Sequence, residues 1–486
     1  MKKTLLISFA ASLLCLLGSA QEISCPDSYK ALFVVADKTV EPGADRAPVI
    51  ALPLDAAKGN TASEVSAAGG IPFFFDPETE DFKILRSFAL NSDALVLSEA
   101  ALRNILLLRA FAECNVPILG SSADIDAINA AIKHRPQQIN DLKTLVAKAG
   151  TFREAKALMR RIPVIDTHSD QPLGVLRRGE SIGERNHQQV SLQRMEEGCG
   201  NTVFLAAYIG QGDDLSKKGC ASAQDYVINL LSLTARDVEK YPQFCALART
   251  PEEVRSLLLE GRKAFLLAVE NGWGVGDDLS RLKDYKDLGV VCMTLCHNGD
   301  NTICGTGNAK SKNGNGGLTP FGREVVSEMN RLGIAIDLSH TSDATFRDVM
   351  ELSSKPVILT HSGARALRTH ARNRTDEQLR ALAANGGVIQ QFLLRSAMRE
   401  DYRNADLEDF LDQLEHCIEV AGIDHVGIGM DYDGGGGSWN LNGTQDYVNV
   451  TVRLLEKGYS HEQIAKLWGG NVLRVLSQVQ KVSEPR

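Results

Sequence analysis

Past residue 20 the chain has no apolar run long enough to cross a bilayer, which excludes a polytopic membrane protein. It has no cluster of Lys and Arg, and its formal net charge is −8, so a nucleic-acid partner is not expected. None of its ten cysteines shows the CxxC spacing of a zinc ribbon or a redox motif. No repeat with a period of about 20–50 residues appears, so a solenoid or propeller is excluded too. What is present is ordinary for a globular protein: 43% hydrophobic and 23% charged residues in a chain of 486, enough for two or more domains.

The first residues read as a secretory signal. Lys2 and Lys3 precede an apolar stretch from Leu5 to Leu17, and Gly18-Ser19-Ala20 offers a small-residue cleavage site before Gln21. The expectation is a signal peptide over 1–20 and a periplasmic protein with no membrane span after cleavage. An uncleaved anchor is the alternative; lipidation at Cys15 is disfavoured by Leu14. Cleavage leaves nine cysteines, an odd number, so at least one thiol stays free. Self-association as a homodimer is left open.

Two βα rhythms follow. In the first, segments 31–35, 49–53, 71–75, 94–97 and 117–120 read as short buried strands, with helices over 61–68 and 99–114 between them. This predicts a small flavodoxin-like α/β domain with a parallel sheet, over 21–145. In the second, over 146–486, strands are expected at 163–167, 202–209, 264–270, 290–297, 334–340, 356–361, 387–393 and 425–431. Eight βα units in about 330 residues fit a (β/α)8 TIM barrel, whose chemistry lies at the C-terminal ends of the strands.

Ligand-type residues fall at those ends. His168 and Asp170 close Ile162-Pro-Val-Ile-Asp-Thr-His-Ser-Asp170, two apart and so expected on one side of a strand terminus. Glu270 ends Ala264-Phe-Leu-Leu-Ala-Val-Glu270, His340 ends Ile334-Ala-Ile-Asp-Leu-Ser-His340, and His361 ends Pro356-Val-Ile-Leu-Thr-His361. Imidazole and carboxylate are the donors of zinc and similar ions. Five ligands exceed one tetrahedral site with an open position. They suit two metals sharing a carboxylate, with Glu270 as the candidate bridge. Two ions about 3.5–4 Å apart hold a hydroxide at neutral pH and polarise a carbonyl, which is metal-assisted hydrolysis. Asp431, at the end of the last strand, is placed to move the proton to a leaving amine, with Asp433 as its rival. His297, closing Cys292-Met-Thr-Leu-Cys-His297, is a candidate donor to an oxyanion, or else a structural hydrogen-bonder. A guanidinium among Arg368, Arg372 and Arg374 could pair with a substrate carboxylate; sequence physics does not choose among them.

These segments, with Val269-Glu-Asn-Gly272, Gly317-Leu-Thr-Pro-Phe-Gly322, Met329-Asn-Arg-Leu-Gly333, Arg372-Asn373, Asp376-Glu-Gln-Leu379, His425-Val-Gly-Ile-Gly-Met-Asp-Tyr-Asp-Gly434 and Gly469-Gly-Asn471, resemble the membrane dipeptidase (renal dipeptidase) family of zinc peptidases in family order over about residues 150–480. The resemblance implies two zinc ions per chain, one on His168 and Asp170, the other on His340 and His361, bridged by Glu270. It implies that His297 contacts the intermediate, that Arg372 reads the substrate's C-terminal carboxylate, and that Asp431 transfers the proton. It implies dipeptide substrates, with an L- or D-residue at the C-terminal side. Asn271 and Trp273 depart from the small residues usual beside the bridge, and so does the Asn-Gly-Asp-Asn run after His297. The N-terminal domain is similar to class I glutamine amidotransferase-like hydrolases, carried by Ala67-Ala-Gly-Gly-Ile-Pro72, Asp93-Ala-Leu-Val-Leu97 and the run from Pro117 to Asn129. There Ser122 stands where that family has a cysteine nucleophile, so a silent domain is expected. An exported zinc dipeptidase is the leading reading. Its competitors are an amidohydrolase-type barrel acting on a non-peptide amide or lactone, a non-catalytic binding protein, and a serine hydrolase built on Ser122.

Overall fold

A computed structural model describes residues 149–308, 316–438 and 440–481, together with five strands of the N-terminal part. The chain divides into two compact units, Met1–Ala155 with Trp439–Asn442, and Lys156–Ser438 with Gly443–Arg486.

In the first unit the expected strand segments carry β1 (Leu32–Val35), β2 (Val49–Pro53), β3 (Ile71–Phe75), β4 (Ala94–Leu97) and β5 (Ile118–Leu119). All pairings are parallel, in the order β3-β2-β1-β4-β5. The order corrects one detail of the flavodoxin-like expectation, in which β1 would lie between β2 and β3. Here the chain steps twice in one direction before returning past β1 to β4. The signal segment, the helices expected at 61–68 and 99–114, and Ser122 lie outside the described residues.

The second unit is an almost closed parallel barrel with outer helices. Its strands are β6 (Ile165–Ser169), β7 (Thr202–Tyr208), β8 (Cys245–Leu247), β9 (Lys263–Glu270), β10 (Val290–Thr294), β11 (Ala335–Asp337), β12 (Ile358–Ala364), β13 (Asn373–Arg374), β14 (Val388–Gln391) and β15 (Val426–Ile428). Eight of them run β15-β14-β12-β11-β10-β9-β7-β6 around the barrel, while β8 flanks the start of β9 and β13 pairs with β12. The seam is joined by a bridge between Ser169 and Tyr432, by Asp170 N–H donating to Tyr432 O at 2.9 Å, and by Met430 N–H donating to Asp166 Oδ1 at 2.9 Å.

These strands form because their apolar runs can be buried on both faces; in β9 every residue from Ala264 to Glu270 is buried. The outer helices start where the chain offers caps. Thr319 accepts from Gly322 N–H ahead of the helix Pro320–Leu332, and Gly333 ends that helix in the left-handed region at φ 68°. Val325, Val326 and Met329 form its buried face. The last helix, Asn471–Gln480, adds Val472, Leu473, Val475, Leu476 and Val479 to a cluster with Phe204, Leu266, Val291, Ala335, Ile358 and Val388. Leu476→Ala in that cluster would cost about 2–5 kcal/mol. No helix among the described residues is long and apolar enough to cross a membrane.

Candidate metal centre and active site

All eight expected barrel segments carry a strand, but three stop three residues short. β10 ends at Thr294, β11 at Asp337 and β15 at Ile428, so His297, His340 and Asp431 each stand three residues beyond their strand rather than at its end. At two of these positions the backbone turns sharply. His340 has φ 66° and Asp431 φ 62°, in the left-handed region, which breaks the extended path and turns the side chain back over the mouth. Five non-glycine residues have positive φ among those described, and His340, Asp431, Asp433 and Asn271, which follows Glu270, are four of them. Strain of this kind, about 1–3 kcal/mol per residue, persists where the surroundings over-determine it.

The five expected ligands converge. Glu270, buried at the end of β9, presents its two carboxylate oxygens to different partners. Oε2 lies 3.4 Å from His168 Nε2, whereas Oε1 lies 3.0 Å from His340 Nε2 and 3.3 Å from His361 Nε2. His168, Asp170 and Glu270 form one possible ligand group, and Glu270, His340 and His361 another. Asp431 reaches the first side, with Oδ1 4.0 Å from His168 Nε2. Gly434 permits this crowding: a Cβ there would come within 2.2 Å of Asp170 Oδ2 and 2.6 Å of Asp431 Oδ1.

Several features of the group fit a cation. His168 Nε2 and Asp170 Oδ1 are buried without a hydrogen-bond partner. His340 Nε2 and His361 Nε2 face each other at 3.0 Å. Their other ring nitrogens are occupied: His340 Nδ1 lies 3.0 Å from Asn298 Oδ1, and His361 Nδ1 lies 2.8 Å from Thr360 Oγ1. An amide oxygen only accepts, so Nδ1 of His340 carries the proton and its Nε2 lone pair faces the centre.

The electrostatics divide the same way. Burial lowers His361 to about 3 and holds His340 well below the usual histidine range, so both are neutral. Burial alone would also lower His168, but the carboxylates of Glu270, Asp170 and Asp431 outweigh it and lift the residue to about 10. Burial would raise Glu270, but the charge of His168 outweighs it and holds the carboxyl well below the usual carboxylate range. Burial pushes Asp431 up to about 6.

Asp431 and Asp433 part company. Asp433 accepts from Gln189 N–H at 2.8 Å and from Ser169 Oγ at 3.4 Å, so it ties a loop to the barrel rather than facing the ligands. The three arginines separate as well. Arg368 donates from Nε to Ser396 O at 3.4 Å. Arg374 is fully buried and donates to Leu338 O and Thr341 O, on either side of strained His340. Arg372 donates from Nη2 to His361 O at 2.8 Å, sits 5.2 Å over the Phe392 ring, and feels the charges of Asp431 and Glu270. The half-buried His297 ring stands 4.3 Å from that of His340.

Some neighbours escaped the sequence reading. The Tyr208 ring lies 4.8 Å from that of His297, and Tyr208 is in register with Glu270. Its position as the last residue of a barrel strand was the available signal. Asp166, Asp337 and Thr360, which hold the backbone or the ligands, carried no such signal, because a buried polar residue before a ligand looks like any strand residue, and Asn298, exposed in the loop after His297, stood out only as part of an unusual run.

A family model for the membrane dipeptidases, peptidase family M19, matches residues 152–486. The chain belongs to the membrane dipeptidase family. Among the relatives of this M19 chain, the dipeptidase verJ of Clonostachys rogersoniana is 33% identical over 344 residues, 68% of this chain and 87% of that protein. A crystal structure of the probable dipeptidase PvdM from Pseudomonas aeruginosa aligns with a TM-score of 0.65 at 26% identity, covering 69% of this chain and 99% of its own. A metallopeptidase from Rhodobacter sphaeroides, crystallised with a phosphinate mimic of the dipeptide L-Ala-D-Ala, aligns with a TM-score of 0.60 at 26% identity, over 65% of this chain and 99% of its own. The protein is thus a dipeptidase of the M19 metallopeptidase family, a hydrolase with peptide substrates.

Proposed function

We propose that this M19 dipeptidase is exported to the periplasm and uses two zinc ions per chain to cleave dipeptides with a free C-terminal carboxylate. The observation that carries the metal reading is the split of Glu270, one oxygen toward His168 and the other toward His340 and His361, beside two buried atoms without a hydrogen-bond partner, His168 Nε2 and Asp170 Oδ1. His168 and Asp170 would hold one ion, His340 and His361 the other, and Glu270 both. Bound there, zinc supplies Lewis-acid polarisation of a carbonyl and activation of water at neutral pH.

The chain's own residues do the rest. Arg372 pairs with the substrate carboxylate and fixes the scissile bond over the ligands. His297 donates to the oxygen that gains charge when the carbon becomes tetrahedral. Asp431, whose carboxyl sits near 6, takes a proton from the attacking water and delivers it to the amine nitrogen as the C–N bond breaks. Tolerance of a D-residue at the C-terminal side is supported by the ligand of the Rhodobacter relative. The N-terminal unit is assigned no bond-breaking step, because Ser122 replaces the nucleophilic cysteine of the hydrolases it resembles.

Elemental analysis after zinc loading, paired with an assay on L-L and L-D dipeptides and their C-terminal amides, tests this reading. Fewer than one metal per chain would sink the binuclear centre. Equal cleavage of dipeptides and amides would remove the carboxylate requirement.

A further inference from the structure

Asp337 is wholly buried at the end of β11, touches no proposed ligand, and receives four hydrogen bonds. They sort by oxygen. Oδ1 accepts from two backbone groups, Ser339 N–H at 2.9 Å and Thr360 N–H at 3.0 Å. Oδ2 accepts from two hydroxyls, Thr294 Oγ1 at 2.5 Å and Thr360 Oγ1 at 2.6 Å. Thr360 has one hydroxyl proton, and the carboxylate takes it. The same Oγ1 lies 2.8 Å from His361 Nδ1, so toward the imidazole it can only accept. His361 must therefore carry its proton on Nδ1 and keep the Nε2 lone pair directed at Glu270 Oε1 and His340 Nε2.

We propose that Asp337, acting through the Thr360 hydroxyl, is a positioning residue that sets the tautomer of His361 and so keeps Nε2 open to the metal. The inference rests on the binuclear reading for its consequence, but not for the tautomer itself. Partners of this kind fix ring orientation and raise ligand basicity in metal sites.

The sorting of bonds gives Asp337→Asn an unusual outcome. The two backbone N–H groups require an acceptor at the Oδ1 position, so the amide oxygen must stay there. The NH2 group then takes the Oδ2 position and donates to both hydroxyls. Thr360 Oγ1 now accepts from residue 337, and its own proton is free to turn toward His361 Nδ1. The chain of donors reverses, and the imidazole proton moves to Nε2, inside the ligand group.

The test uses the full-length protein labelled with 15N-histidine. In the metal-free wild type, long-range 15N–1H spectra should show His361 protonated on Nδ1. In Asp337→Asn the protonated and bare nitrogens should exchange places. Thr360→Val, which has no hydroxyl, should lose the single tautomer, and Thr360→Ser should restore it. Chelator competition should show zinc bound about 10–100-fold more weakly at one of two sites in Asp337→Asn and Thr360→Val, with Thr360→Ser near wild type. An unchanged tautomer in both Asp337→Asn and Thr360→Val would overturn the inference, as would unchanged zinc affinity alongside a reversed tautomer. If the wild type holds fewer than two ions while Asp337→Asn still reverses the tautomer, the relay stands and the binuclear reading fails.

Discussion

On one side of Glu270 stand His168 and Asp170, and on the other His340 and His361, while Asp431 groups with His168 and His361 across the two. The imidazole side is neutral, and each ring has its Nδ1 fixed by a neighbour, Asn298 or Thr360. The carboxylate side keeps a proton on His168 near 10, pushes Asp170 well above the usual carboxylate range through burial and the neighbouring Glu270, and leaves Asp170 Oδ1 unpaired. One half is organised by the protein alone. The other crowds buried carboxyl groups around one protonated imidazole, a positive charge that a metal cation would replace. Glu270 belongs to both.

Glu270→Gln should break this arrangement most severely. An amide cannot offer two anionic oxygens, so metal content should fall on both sides and dipeptidase turnover should drop by more than a proton-transfer group accounts for, about 10²–10⁴-fold. Near-normal turnover in a variant with depleted metal would remove the bridge from the picture.

Asp431→Asn should lower kcat by about 10²–10⁴-fold with metal content unchanged, while Asp433→Asn changes kcat far less. Paired kinetics and elemental analysis compare the two. Equal losses would erase the distinction drawn from the bonds of Asp433 to Gln189 and Ser169.

Arg372→Lys keeps charge but loses the planar fork, and a charge-assisted hydrogen bond contributes about 1.5–3 kcal/mol, so KM for dipeptides should rise roughly 10- to 100-fold. The corresponding C-terminal amides should be little affected. A matching rise for the amides would place Arg372 outside carboxylate recognition.

The smallest effect sharpens the contrast between the halves. His168 stands near 10 when folded against an ordinary 6.5, so its contribution to metal-free stability is complete below 6.5 and lost as pH rises through 10. A ligating imidazole must be neutral, so loading zinc at about pH 8 should release that proton. Titration calorimetry in buffers of different ionisation enthalpy measures it. His340 and His361, already neutral, should add nothing, and the absence of proton release would contradict the charge assigned to His168.

Much of this was legible in the chain. The eight barrel segments, and the convergence of the five candidate ligands near Asp431 and His297, follow from where apolar runs stop, because a barrel collects its strand ends at one mouth. The strands stop three residues before His297, His340 and Asp431, and at His340 and Asp431 a left-handed residue past the strand leaves no mark in hydrophobic pattern. The choice between Asp431 and Asp433, identical in parity, depended on which carboxylate Gln189 captures. The choice among three arginines depended on β13, a two-residue strand too short to recognise. Asp337 and Thr360 were invisible for another reason: their role lies in a proton's location, which spacing does not encode.

The seam between β6 and the segment after β15 has a kinetic meaning. Met430 N–H reaches Asp166 across 264 residues of chain, and Asp170 meets Tyr432 across a similar span. Contacts of such high sequence separation must overcome the largest loop-closure entropy in the barrel, so they form late. The first ligands to leave the ribosome, His168 and Asp170, therefore wait for nearly the last strand before Asp431 can join them. Under the roles proposed above, a truncated chain ending before residue 426 would contain all five proposed ligands and still lack Asp431, the proposed proton-transfer group.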